Sequence, residues 1–201
     1  MPSPRPAPIA RLDQMSVLAS PIRQEMLDMI ARVGRPVSLT EVGSLLGRPS
    51  DGLYYHARML EKSGLLKSSG SRTRQGRRET RFRAVAPQFI LRYPKSGSRS
   101  TRALVSIVGS LLRLGLRDFR RALAGGQART DGPTRDLWAL RTTGWLRPEH
   151  VRRVNRLIQT LADEASRTEP KGRLYAVSVL LAPLDHRSNR TGRRPRRRGR
   201  A

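Results

Sequence analysis

The stretch 50–58 concentrates side chains able to read a nucleic acid: Ser50, Asp51, Tyr54, Tyr55 and Arg58. A guanidinium can lay two parallel N–H donors on the O6/N7 edge of a guanine, so Arg58 is the foremost base-reading residue of the set. Tyr54 and Arg58 are four residues apart and share one face of a helix. Ser50 can donate to a phosphate or a base. Asp51 can accept from a cytosine amino group, or serve a helix N-terminus electrostatically. Adjacent residues cannot share a helix face, so one of Tyr54 and Tyr55 can equally well pack inward. His56 has two readings, a packed or backbone-bonded imidazole and a phosphate contact; with no cysteine or carboxylate in its motif, the first is preferred.

A second cluster follows. Arg72, Arg74, Arg77, Arg78, Arg81 and Arg83 surround a single acid, Glu79. Guanidinium groups at this density suit phosphate clamping and minor-groove insertion. The plainer alternative is a solvated charged loop.

The elements that must position these residues are readable from spacing. Leu12, Met15 and Val17/Leu18 mark a first helix. Ser20-Pro21 is a helix start, with Ile22, Met26, Leu27 and Ile30 along one face and Gly34 and Pro36 as the stop. Ser38 with Glu41 forms a capping box for a third helix that buries Leu39, Val42, Leu45 and Leu46 and closes at Gly47. Pro49, Ser50 and Asp51 open a fourth, which buries Leu53, Met59 and Leu60. Two short helices joined by a tight glycine-containing turn form a helix-turn-helix. Residues 65–67 and 79–85 read as the strands of a hairpin, with 70–76 as a polar loop and Phe82 turned to one face.

Taken together, residues 12–85 resemble the ArsR-type winged-helix regulators. The resemblance rests on Leu18-Ala-Ser-Pro-Ile-Arg23 ahead of Met26-Leu27, on Leu39-Thr-Glu-Val-Gly-Ser-Leu-Leu-Gly47, on Leu53-Tyr-Tyr-His56 with Leu60-Glu-Lys-Ser-Gly-Leu-Leu66, and on Gly76-Arg-Arg78 leading to Phe82. It implies a transcriptional regulator, dimeric on an inverted repeat of double-stranded DNA. The recognition helix would lie in the major groove and the hairpin would be the wing. The cysteine-based metal sites of many such regulators do not carry over, because the chain has no cysteine.

The remainder is less explicit. Residues 101–123 form an amphipathic helix whose apolar arc is too wide for one contact, so Leu104, Val108, Leu111, Leu112 and Phe119 are expected at a dimer interface. Residues 136–146 and 174–182 read as strands. Between them Pro148 opens a helix with Val151, Val154, Leu157/Ile158, Leu161 and Ala165 inward, and Glu149 within reach of Arg153. The expected architecture is α+β, mainly α with small β. It comprises a Pro-rich disordered lead (1–9), a winged helix-turn-helix (10–85), a dimerisation and effector module of helical or small α/β type (86–186), and a disordered Arg tail (187–201).

Bulk properties agree. The chain of 201 residues carries 41 Lys+Arg against 15 Asp+Glu, a formal charge of +26 that attracts polyanions. The tail alone holds eight Arg and no acid, enough to add sequence-independent affinity. An RNA partner suits such a tail as well. The same Arg excess is also what a GC-rich coding sequence produces. No signal peptide or membrane span is evident, so a soluble, cytoplasmic and nucleoid-associated protein is expected. No cofactor or metal is expected. His150 beside Glu149 and His186 beside Asp185 are neighbours in sequence without forming a catalytic motif, so an enzyme is the weakest reading. A non-specific nucleic-acid coat is the stronger alternative.

Overall fold

The computed structural model describes residues 6–74, 76–93, 99–167 and 172–184. The chain is mixed α/β, with six helices and two small sheets among these residues. The element order is β1 (Ala7–Ile9), α1 (Leu12–Leu18), α2 (Pro21–Val33), β2 (Val37–Ser38), α3 (Leu39–Leu46), α4 (Leu53–Lys62), β3 (Leu66–Arg74), β4 (Arg77–Ala84), β5 (Phe89–Leu91), α5 (Arg99–Ala124) and α6 (Pro148–Ala165).

Local chemistry sets the boundaries of the helices that matter most. Pro21 occupies the first turn of α2, where its missing N–H costs nothing, and Gly34 ends the helix in the left-handed region at φ 69°. The Ser38 hydroxyl caps α3 by accepting the Glu41 N–H at 3.3 Å. Only half of the expected capping box forms, because the Glu41 carboxylate turns to the Arg35 guanidinium instead.

One core joins these elements. Met15, Leu18, Met26, Ile30, Val37, Leu39, Val42, Leu53, Leu60, Leu65, Leu66 and Phe82 are all almost wholly buried in it. The three-stranded sheet runs β2-β4-β3, and Val37 pairs with Phe82 across it. Helix α5 closes the core by inserting Ile107. The Gln24 amide fixes that closure, donating to the Leu18 carbonyl at 2.7 Å and the Ile107 carbonyl at 3.1 Å.

Several expectations need correction. The lead is not wholly irregular: Ala7–Ile9 forms a parallel strand beside Phe89–Leu91. Pro8 is tolerated because the pair has only two strands, and the bonds run from the Ala7 N–H to Gln88 and from the Arg92 N–H to Ile9. The polar stretch 70–76 is mostly strand, since β3 and β4 pair as far as Arg74 and Arg77. Leu45, placed among the buried residues of α3, is half exposed.

The C-terminal half differs more. Residues 136–146 and 174–182 carry no strand. Helix α6 buries none of its residues, and Leu157 and Leu161 lie open. Strands there and an inward face on α6 would need an apolar or hydrogen-bonding partner that the described residues do not supply. Glu149 pairs with Arg147 at 3.1 Å, on the other side from Arg153. The C-terminal tail 187–201 and the pair Asp185/His186 lie outside the described residues.

Gly43 is the tightest point of the helix-turn-helix. A Cβ there would come within 2.7 Å of the Arg48 carbonyl oxygen, a backbone atom with little freedom to move. Gly43→Ala should therefore force α3 away from the turn that leads into α4. The expected cost is about 1–3 kcal/mol, read as a lowered unfolding midpoint. An unchanged midpoint would contradict the packing described.

Candidate nucleic-acid interface

The residues expected to read bases lie on and just ahead of α4. It is anchored by Leu53, Ala57 and Leu60, all buried, which turns the opposite face outward. Tyr54 and Tyr55 are both on the open side, 45% and 64% exposed, so neither packs into the core. Arg58 is exposed one turn after Tyr54 and donates from Nη1 to Glu61 Oε2 at 2.7 Å. Ser50 and Asp51 lie in the turn ahead of the helix, not in its first turn. The Leu53 N–H donates to the Ser50 carbonyl at 2.9 Å there. Three of the five residues thus lie on the open side of α4, and the other two lie in the turn ahead of it.

His56 sits beside the tyrosine pair, with its ring edge-on to Tyr55 at 5.4 Å between centroids. Burial lowers its pKa, and the nearby Arg23 charge lowers it further, so the imidazole is neutral at pH 7. Its Nδ1 is buried without a protein hydrogen-bond partner.

The β3–β4 hairpin places its arginines in two ways. Arg72 and Arg78 are exposed on facing strands, Arg78 donating from Nε to the Ser71 hydroxyl at 2.7 Å. Arg74 and Arg77 are directly paired at the tip. Arg81 differs from the rest. Its guanidinium donates to the Pro36 carbonyl and ties β4 to the α2–β2 connection. The wing's acid, Glu79, accepts from the Thr40 hydroxyl at 2.8 Å. That contact holds the sheet against α3.

Three positioning residues escape sequence reading. Glu25 on α2 accepts two hydrogen bonds from Arg117 of α5, at 2.7 and 2.8 Å, and one from Arg48 in the helix-turn-helix turn at 3.2 Å. Only 12% of its side chain is exposed. Arg117 and Arg48 come from segments 69 residues apart in sequence, so no local pattern announces their meeting.

Of the expected dimer residues, Leu112 is about half exposed, while Leu104, Val108, Leu111 and Phe119 are half-buried within the single chain. The open stripe of α5 runs instead through Val105, Leu112, Leu116 and Leu123. Among the described residues no cluster of His, Asp or Glu is placed to hold a metal ion. Nor, among them, is any helix long and apolar enough to cross a membrane.

Removing Glu25 takes the shared acceptor from both arginines, although Arg117 keeps its bond to Asp118 at 2.7 Å. Glu25→Ala should cost about 1.5–3 kcal/mol, the range of a charged hydrogen bond. It should also loosen the α3–α4 turn in amide exchange. A variant of wild-type stability would remove Glu25 from this role.

No curated protein matches the chain as a whole. Residues 18–69, which run from the end of α1 into β3, match the family model described as a helix-turn-helix domain. The chain therefore carries an N-terminal helix-turn-helix domain, a DNA-binding module.

Proposed function

We propose that the protein is a sequence-specific, DNA-binding transcriptional regulator of the ArsR-like winged-helix type, without enzymatic activity. The observation that carries this reading is the open face of α4, where Tyr54, Tyr55 and Arg58 stand beside an arginine-bearing hairpin. In this reading α4 enters the major groove. Arg58 addresses a guanine, Ser50 and Asp51 approach the adjacent backbone or base, and the tyrosines contact bases. Arg72, Arg74, Arg77 and Arg78 of the wing lie along the phosphates and the neighbouring minor groove. Arg81 contributes mainly by orienting β4, as its bond to Pro36 suggests.

The same reading makes the protein a homodimer on an inverted repeat, with recognition helices about 34 Å apart. Residues 10–85 form the reading domain and 86–186 the dimerisation module, which could also take a small effector. The apolar surface left open on α5 and α6 supports a further protein surface there. A net charge of +26 supports fast, salt-dependent capture of DNA.

The test separates base reading from phosphate contact. Arg58→Ala should reduce discrimination against a changed base pair by about 1–3 kcal/mol. Arg72→Ala should weaken all duplexes alike and lower the slope of log affinity against log salt by about one. Fluorescence-anisotropy titrations across a salt series measure both. If Arg58→Ala behaves like Arg72→Ala, and binding shows no sequence preference, the protein is a non-specific nucleic-acid coat.

A further inference from the structure

Glu61 carries a negative charge onto the side of the molecule assigned above to a polyanion. It lies in the last turn of α4, and its two carboxylate oxygens face different elements. Oε2 accepts from Arg58 Nη1 at 2.7 Å. Oε1 accepts the backbone N–H of Ser68, on strand β3, at 3.1 Å, and the Ser68 hydroxyl as well. The carboxyl is held below its usual range, first by the Ser68 hydroxyl and then by Arg58, so it stays ionised at neutral pH. About a quarter of the Glu61 side chain is exposed, against 60% for Arg58.

Ser68 is a distinctive point of the wing. The β3–β4 register runs evenly up to the Ser68–Phe82 pair and resumes only at Ser71–Thr80. Gly70 takes a φ of 76° within that break. A bulge of this kind redirects the strand beyond it. The Glu61 carboxylate therefore grips the wing where its direction is set, and grips the guanidinium of the recognition helix with its other oxygen.

A guanidinium offers five N–H donors in a fixed plane. With Nη1 engaged to Glu61, the Nε–H/Nη2–H edge keeps the two parallel donors that a guanine requires. An unsupported arginine would sample many rotamers and lose side-chain entropy on docking.

We propose that Glu61 is a positioning residue for base recognition, holding Arg58 from behind so that its free edge meets the base and locking that orientation to the wing through Ser68. This rests on the reading of α4 as the DNA-contacting helix. The carboxylate's repulsion of nearby phosphate is then the cost of specificity, and it works against loose binding to any sequence.

Selections from random duplex DNA on the full chain test this, run in parallel for wild type, Glu61→Gln, Arg58→Ala and the double variant. Glu61→Gln keeps an oxygen for Ser68 but loses the charge that holds Arg58. Preference at the base pair assigned to Arg58 should fall about two- to five-fold, the share that an exposed ion pair supplies. Affinity for unrelated duplexes should stay level or rise. In the Arg58→Ala background, Glu61→Gln should alter no base preference.

Unchanged preference in Glu61→Gln, or an equal loss with and without Arg58, overturns the proposal while leaving the regulator reading intact. A wild-type selection that yields no motif overturns the regulator reading itself. Should Glu61→Gln fail to fold, Ser68→Ala carries the same test, since it removes the hydroxyl donor to Glu61 Oε1 and leaves only the backbone N–H of residue 68 to hold the carboxylate against the strand. A drop in preference at the same base pair is expected there, and an unaltered motif overturns the proposal.

Discussion

A chain with 41 bases and 15 acids must fold against its own charge. Self-repulsion of that size works against a compact state. In the N-terminal domain the few acids answer it by acting as cross-links between elements. Glu25 joins α2 to the helix-turn-helix turn and to α5. Glu41 takes Arg35 from the segment before α3, Glu61 binds α4 to β3, and Glu79 binds the sheet to α3 through Thr40. Each thus ties one element to another. Arg72, Arg78 and Arg83 of the β3–β4 hairpin stay exposed and add to the outward positive field.

Much of this domain was legible because its determinants are local. Pro21, Ser38, Gly34 and Gly47 mark helix ends through a first-turn proline, a hydroxyl cap and left-handed backbone, effects decided within a few residues, although the Ser20 side chain makes no cap bond. The apolar spacing of Met26, Leu27 and Ile30 gave the buried face of α2, and Phe82 went to the core as its strand alternation required. What escaped depends on distant partners. Strand β1 exists only because residues 89–91 lie beside it, and Glu25 matters only because Arg117 arrives from α5. Gly43 looks like an ordinary helix residue until the Arg48 carbonyl is placed against it.

The site was legible in kind and less so in detail. Tyr54, Tyr55 and Arg58 are all open to the outside, whereas adjacency alone left it even whether one tyrosine would turn inward. Both stay out because the short anchors Leu53, Ala57 and Leu60 suffice to seat α4. Within the wing, residue type could not tell an arginine facing solvent from Arg81, whose guanidinium is used on a backbone carbonyl. In the C-terminal half, apolar and β-prone composition suggested strands at 136–146 and 174–182. A strand needs an edge to pair with, and composition does not provide one. There Trp138, Leu140 and Trp145 remain largely exposed, as does one side of α6. A protein surface beyond the single chain would satisfy them, in keeping with the proposed dimer.

The central claim is that α4 lies in the major groove with Tyr55 facing the bases. The absence of native cysteine makes one measurement direct. Tyr55→Cys is the only thiol in that variant, and its disulfide cross-linking to duplexes bearing a thiol tethered to a base in the major or the minor groove can be compared with that of His150→Cys on α6. The account predicts efficient cross-linking from position 55 to the major-groove tether alone, and none from position 150. Cross-linking from position 150, or from position 55 only to the minor-groove tether, would contradict it.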